Sequence, residues 1–478
     1  MKLDVSIVTC VTVFSNVANA FWRLPCRGRS GMARIDPIVA PGIPSDHVHA
    51  VHGSGGFSMS ANEASLKQSS CTSCAVTQDK SAYWVPALYF MHQNGDAELV
   101  NEVGGMLAYY LLNGDNVTAF PENFRMMAGD TYKRDFPWPI PDPPQSEWSG
   151  NDLTQDALRQ KAVGFNCLNY EKNPEPSLGR HYLPDKTYLD EHCTEGIRFE
   201  LMFPSCWNGK DVDTPDHKSH LAYPSLVMDG ECPKGFEHRL VSLFYESIWD
   251  TYAFKNKKGT FVISNGDPTG YGYHGDFMYG WDSEVLQQAV NTCTNMSGEV
   301  SDCPIFNLQS DEKQDQCHFP VPDALKNEDV NYHKGGLPNN LAIQSGPAYA
   351  SPVRYTTTAG GHAAAMSPAT NPSSLAGYLF ASSNWEQITT WSPPSSTSSA
   401  DTVPSTTFVY VEQEIIVLVD DQGVPIETQT GSLETVSKAS STISSGVSSG
   451  LPAPTRPLFK RDGFHNHAHK HYRHGHSH

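Results

Sequence analysis

Three segments of the chain concentrate side chains able to move protons, hold a metal or grip a ligand. The first, GIPSDHVHAVHGSGGF at residues 42–57, carries His47, His49 and His52. In an extended strand His47 and His49 project from one face and His52 from the other, so the first two can share a metal, a substrate or an acidic partner. An HxH pair suits zinc or copper, but a closed site needs further ligands from elsewhere. The alternative is that each ring donates to a main-chain carbonyl and shapes the glycine-rich turn, the reading favoured for His52.

The second segment, PSCWNGKDVDTPDHKSHLAYP at 204–224, contains Asp211, Asp213, Asp216, His217 and His220 beside Trp207 and Tyr223. His217 and His220 share a face only if this stretch coils into a helical turn. Aromatic rings next to carboxylates and imidazoles suit sugars, whose apolar faces stack while their hydroxyls take hydrogen bonds. Asp-rich loops are equally common for turn reasons alone.

The third, SNGDPTGYGYHGDFMYGWD at 264–282, packs Asp267, Tyr271, Tyr273, His274, Asp276, Tyr279, Trp281 and Asp282 between glycines that allow sharp bends or close approach to a ligand. It is not a phosphate loop, because GxxxxGK[ST] is absent, and the chain has neither a GxSxG elbow nor an HExxH helix.

Taken in order, FWRLPCRGRSGMARIDPIVAPGIPSDHVHAVHG at 21–53 and the second and third segments resemble the secreted fungal family catalogued as domain of unknown function 1996, over about Phe21 to Trp281. The resemblance implies secretion, a shared fold and three clusters that recur together. It therefore favours one common cleft, with His47, His49, His217, His220, His274 and Asp276 as the catalytic candidates. The associated ligand-gripping candidates are Arg23, Trp207, Tyr223, Tyr271, Tyr273 and Trp281.

Those segments must be positioned by a folded, oxidised domain. Residues 1–20 run from a lysine through an apolar stretch to Ala18-Asn19-Ala20, a signal-peptide pattern that predicts a mature start at Phe21. Removing Cys10 leaves ten cysteines and predicts five disulfides, with Cys71–Cys74 one local option and the other partners open. Sequons at Asn116 and Asn295 call for surface positions. No segment after the leader is long and apolar enough for a membrane span. A formal charge of −19 argues against nucleic acid as partner.

Short aromatic and β-branched runs, ALYFM, RFELMF, LVSLFYESIW and GTFVISN, read as strands, whereas AELVNEVGGMLAYYLL and SEVLQQAVNTC carry helical periodicity. The expected fold is mainly β: a sandwich of jelly-roll type with long disulfide-pinned loops and a few short helices. Residues 21–349 form the expected globular domain, followed by a Ser/Thr/Pro-rich linker at 350–407 and an isolated hairpin-like segment at 408–430. A Ser-rich linker at 431–459 leads to the dibasic Lys460-Arg461 and a histidine tail at 460–478.

The function these features favour is a secreted or wall-associated carbohydrate-active enzyme, a polysaccharide hydrolase or lyase. His49 or His274 would serve as base, Asp276 or Asp216 as orienting group or acid, and Tyr271 or Tyr273 as proton donor in a lyase. Arg23, Arg27, Arg29 and Arg34 would grip a uronate, although arginines on an acidic protein also pair with Asp and Glu. The alternatives are a non-catalytic glycan-binding or cell-wall protein and a metal-binding secreted protein. The sequence fixes no cofactor; a divalent metal is an open option, with tail ligands at His465, His467, His469, His471, His474, His476 and His478.

Overall fold

The computed structural model describes residues 21–351 and the main chain of six later strands. The leader and the histidine tail, with Cys10 and His465 to His478, lie outside the described residues. Among the later strands, Arg354–Thr357 pairs with Ala363–Met366, Tyr410–Glu412 with Glu434–Val436, and Ile415–Val419 with Pro425–Thr430, all antiparallel.

In chain order the strands of residues 21–351 begin with β1 (Phe21–Cys26), β2 (Gly31–Ala33), β3 (His49–Gly53), β4 (Ala82–Pro86), β5 (Leu88–His92) and β6 (Ala97–Leu99). Next come β7 (Glu102–Leu111), β8 (Arg125–Gly129), β9 (Val163–Cys167), β10 (Ile197–Met202), β11 (Cys206–Trp207) and β12 (Leu221–Ala222). The series ends with β13 (His238–Arg239), β14 (Ser242–Trp249), β15 (Gly259–Ile263), β16 (His274–Met278) and β17 (Tyr332–His333). Two five-stranded antiparallel sheets carry the architecture, one ordered β1-β7-β14-β10-β9 and the other β2-β3-β4-β16-β8, with a four-stranded sheet β15-β5-β6-β17 beside them. The fold is mainly β, as expected. The strand orders establish antiparallel sheets without establishing jelly-roll connectivity.

Alternation decides which side chains meet between the sheets. On β1, Trp22, Leu24 and Cys26 are buried while Phe21, Arg23 and Pro25 are partly exposed. Tyr83 of the second sheet meets Tyr245 of the first at 5.8 Å between ring centroids, and the Tyr245 hydroxyl donates to the Asp276 carbonyl at 3.0 Å. One apolar core therefore lies between the sheets. A second core, including Ile35, Ile38, Val51, Phe57, Trp84 and Met278, covers the outer face of the second sheet.

The four segments read as strands form β5, β10, β14 and β15, and SEVLQQAVNTC supplies a helix at Val285–Thr292. AELVNEVGGMLAYYLL is not a helix but β6 and β7. Met106, Ala108 and Tyr110 point inward in alternation, and β7 is paired on both edges, by β1 and β14. Tertiary pairing outweighs the weak helical preference of Leu, Met and Ala. Gly104 and Gly105, both at φ 72°, sit where the β7–β14 register shifts, a conformation β-carbon-bearing residues rarely adopt.

Five disulfides form as expected: Cys26–Cys74, Cys71–Cys317, Cys167–Cys193, Cys206–Cys232 and Cys293–Cys303. The local Cys71–Cys74 option is not used. Each of those cysteines instead ties the segment to a distant part of the chain.

A buried polar chain crosses the core. Trp281 Nε1 donates to the Tyr110 hydroxyl at 2.9 Å, Tyr110 and Tyr83 share a hydroxyl–hydroxyl bond of 2.7 Å, and Tyr83 donates to Asp79. Burial pushes the Asp79 carboxyl up to about 6, opposed by hydrogen bonds from Tyr83 and Ser81. Because the folded value lies above the unfolded one, the protonated group favours the native state below about pH 4, and that contribution is lost as pH rises through about 6. Asp79→Asn is therefore expected to gain roughly 1–3 kcal/mol on the wild type as pH rises from 4 to 6. Denaturant titrations across that range check it, and parallel pH profiles for the two proteins would contradict it.

Candidate functional site

Strand register brings the first and third segments together. His49 faces Pro86 across the β3–β4 ladder and Asp276 faces Trp84 across the β4–β16 ladder. Residues two apart share a face, so His49 lies on the side of Val51, and His274 and Asp276 on the side of Met278. Val51 and Met278 both belong to the outer core, which places all three polar groups on the outer face of the second sheet. Residues 34–48 return across that face and add Asp36 and His47. Asp36 is locked there by main-chain donation from Ile38 and Val39, both 3.0 Å, and Arg34 anchors the loop on Glu328 at 2.8 Å.

The resulting group is compact and buried: Asp36, His47, His49, His274 and Asp276 are each 4% exposed or less. Ligand atoms of His47, His49 and His274 lie within 4.8 Å of one another, as do those of Asp36, His49 and Asp276. His47 Nδ1 donates to the Asp46 carboxylate, and His274 Nδ1 donates to the Gly272 carbonyl at 2.9 Å. With those protons fixed, the two Nε2 atoms face each other 3.1 Å apart, a separation that calls for a proton or a cation between them. Metal–nitrogen bonds of about 2.0–2.1 Å at a tetrahedral angle would hold two such nitrogens roughly 3.3 Å apart. Anchoring the far ring nitrogen on a carboxylate or carbonyl is the outer-shell pattern of metal-ligating histidines.

Asp276 sharpens the point, for neither of its carboxylate oxygens has a hydrogen-bond partner, and His49 has at most a weak contact with the Ile35 main chain. Unpaired buried groups cost about 1–3 kcal/mol each, and more when charged. Burial holds the Asp276 carboxyl well above the ordinary carboxylate range, assisted by Asp36 and opposed by Lys218. Burial likewise pushes His49 and His274 well below the usual imidazole value, reinforced in each by the charge of His47. Asp46 is held low: burial works against its charge, but His47, His274 and Arg34 together outweigh it.

The second segment flanks this group without joining its rings to it. His220 donates or accepts at both nitrogens, with Thr214 Oγ1 at 3.1 Å and the Arg125 carbonyl at 2.9 Å, so it pins the loop to the start of β8. His274 pairs with Gly129 at the other end of that strand, about 13 Å away at 3.3 Å per residue. His217 is engaged by Asp213 at 2.7 Å. Of the aromatic candidates, Tyr273 and Trp281 are core residues, and Tyr223 is buried with its hydroxyl on the Met202 carbonyl at 2.9 Å. None of those three has a free face for a sugar. Half-buried Trp207 donates to the Asp211 carbonyl at 2.7 Å, and half-buried Tyr271 stacks on Phe136 at 6.0 Å. The four arginines pair with acids: Arg23 with Glu299, Arg27 with Asp311, Arg29 with Glu102 and Arg34 with Glu328.

His52, of opposite parity, turns away from the group to the Gly28 carbonyl at 3.3 Å and to Glu102 at 3.2 Å. Sequence reasoning missed Asp36, Asp46 and Lys218. Asp46 was signalled by its position directly before the HxH pair, but nothing local marks Asp36 or Lys218.

A family model described as Domain of unknown function (DUF1996) matches residues 36–281, just over half of the chain. The chain belongs to the DUF1996 family. That span holds the whole DUF1996 group, from Asp36 at its first residue to Asp276 near its end. No curated protein and no solved structure matches the chain.

These contacts make His220 a structural post. His220→Ala is expected to leave the Arg125 carbonyl unpaired and cost about 1–3 kcal/mol, with metal content unchanged. Thermal melting and elemental analysis of the purified variant check both halves, and loss of metal would return His220 to the centre.

Proposed function

We propose that this DUF1996 chain is a secreted metal-binding protein whose centre is built by His47, His49 and His274, with Asp276 or Asp36 as carboxylate ligand. The observation that carries the reading is the pair of opposed Nε2 atoms beside His49 and the unpaired carboxylate of Asp276. Three imidazoles and a carboxylate suit zinc, copper, nickel or iron better than calcium or magnesium. When bound, such an ion supplies Lewis acidity and lowers the pKa of a bound water. Secretion is supported by the apolar leader and by five disulfides, which persist in oxidising compartments. No helix among the described residues is long and apolar enough to cross a membrane.

A second reading is the acid–base polysaccharide hydrolase or lyase. It is favoured by one feature, a carboxyl kept protonated at Asp276 on the same strand and face as a neutral imidazole at His274, an arrangement fit for proton transfer. The lectin-like reading has less support, since three of its five aromatic candidates are buried.

Elemental analysis of the full secreted chain, purified without chelator, tests the leading reading. Because the histidine tail offers metal ligands in every version, the comparison is between wild type and site variants. Wild type is expected to hold about one more equivalent of a transition metal than His49→Ala or His274→Ala. Equal content would remove the metal, and reducing-sugar release lost in those variants would then leave the acid–base reading standing.

A further inference from the structure

Lys218 is a cation placed against the buried group without a carboxylate in ion-pair contact; Asp130, Asp276 and Asp216 act on it only from farther off. Its Nζ donates to the Gly129 carbonyl at 2.9 Å, and Gly129 lies opposite His274 in the β8–β16 ladder. An ammonium has three donors, and that carbonyl takes one. Among the described residues Lys218 makes no ion pair within 4 Å, and its charge is felt by His274 and Asp276. Three other basic side chains of this region are matched: Lys133 lies 3.2 Å from Asp135, Arg134 3.6 Å from Asp267 and Arg34 2.8 Å from Glu328.

The segment that presents Lys218 is held firmly. His217 adopts φ 57°, a left-handed conformation costly for a residue with a β-carbon. Three features hold it there. His217 Nδ1 engages Asp213, Met127 N–H donates to the His217 carbonyl at 3.0 Å, and Asp216 accepts from the Lys218 and Ser219 amides at 3.2 and 3.0 Å. Asp216 is kept ionised for this task, its pKa drawn down to about 2 because the amide and hydroxyl donors outweigh burial. Strain retained beside a buried polar group is a mark of a functional position.

We propose that Lys218 is the anion-recognition residue of the centre, and that the ligand carries a compact oxyanion, either the carboxylate of an acidic sugar or a free phosphate. The location rests on the buried group described above, but the charge preference does not require the metal. Lysine acts as a point charge and does not by itself choose between carboxylate and phosphate, so the probes must.

Calorimetric titration of the full chain with tri-galacturonate, its methyl ester and inorganic phosphate separates the cases, with metal content and melting temperature measured on the same samples. The acid is expected to bind at least about tenfold more tightly than the ester, Lys218→Met to abolish that preference, and Lys218→Arg to keep most of it. Phosphate binding lost in Lys218→Met, without preference for the acid, would support the same residue and assign it to a small free anion. Neither preference in wild type, or a preference that survives in a folded Lys218→Met, overturns the proposal. A charge preference in protein that holds no site-bound metal would sink the metal reading alone, and bound metal without a charge preference would sink this one alone.

Discussion

Burial without pairing is the constraint around which this protein is organised. Asp276 sits in the middle of a sheet, fully buried, with both carboxylate oxygens unpartnered, and His49 beside it has at most a weak contact with the Ile35 main chain. A core that could have been apolar at no cost carries instead groups that lower its stability. Such an arrangement persists only where something else compensates; the ion proposed among the three imidazoles would do so, and the anchored Nδ1 atoms of His47 and His274 would leave their Nε2 atoms to hold it.

The sandwich supplies the rigidity this needs. His49 and His274 are the first residues of β3 and β16, strands that flank β4 in the second sheet. Their placement is thus set by ladder register, which a one-residue slip would reverse, turning each ring into the opposite core. The inner face is closed by aromatic packing and by the Trp281–Tyr110–Tyr83–Asp79 chain. The outer face is closed by the loop at residues 34–48 and its own apolar cluster. The centre therefore lies between a sheet that cannot slide and a loop fastened by Arg34 and Asp36. The partly exposed neighbours of the group are Asp46, whose side chain is 20% exposed, and half-buried Lys218.

Many residues that looked chemical in the sequence are structural in the fold. Tyr273 and Trp281 stabilise by burial, His220 by satisfying a carbonyl, and the arginines by meeting carboxylates. Aromatic rings, imidazoles and carboxylates serve packing, hydrogen bonding and catalysis alike, and composition does not separate those uses. What separates them is whether each polar atom already has a partner, and that is known only when distant segments have met.

The sequence by itself determined the β-dominated class, the ten cysteines that become five bridges, the HxH parity that separates His52 from His47 and His49, and the family. These follow from local properties: alternation along a strand, cysteine number, and ordered motifs. Only the tertiary structure decided that residues 97–112 are strand, because two-sided pairing of β7 overrode a helical pattern. It likewise decided that Cys71 and Cys74 bridge to distant cysteines, and that Asp36 approaches His49 and Asp276 and Lys218 acts on His274, while His220 stays at the far end of β8. Each of those outcomes turns on contacts between residues tens to hundreds of positions apart, and no local pattern encodes the register that brings them together.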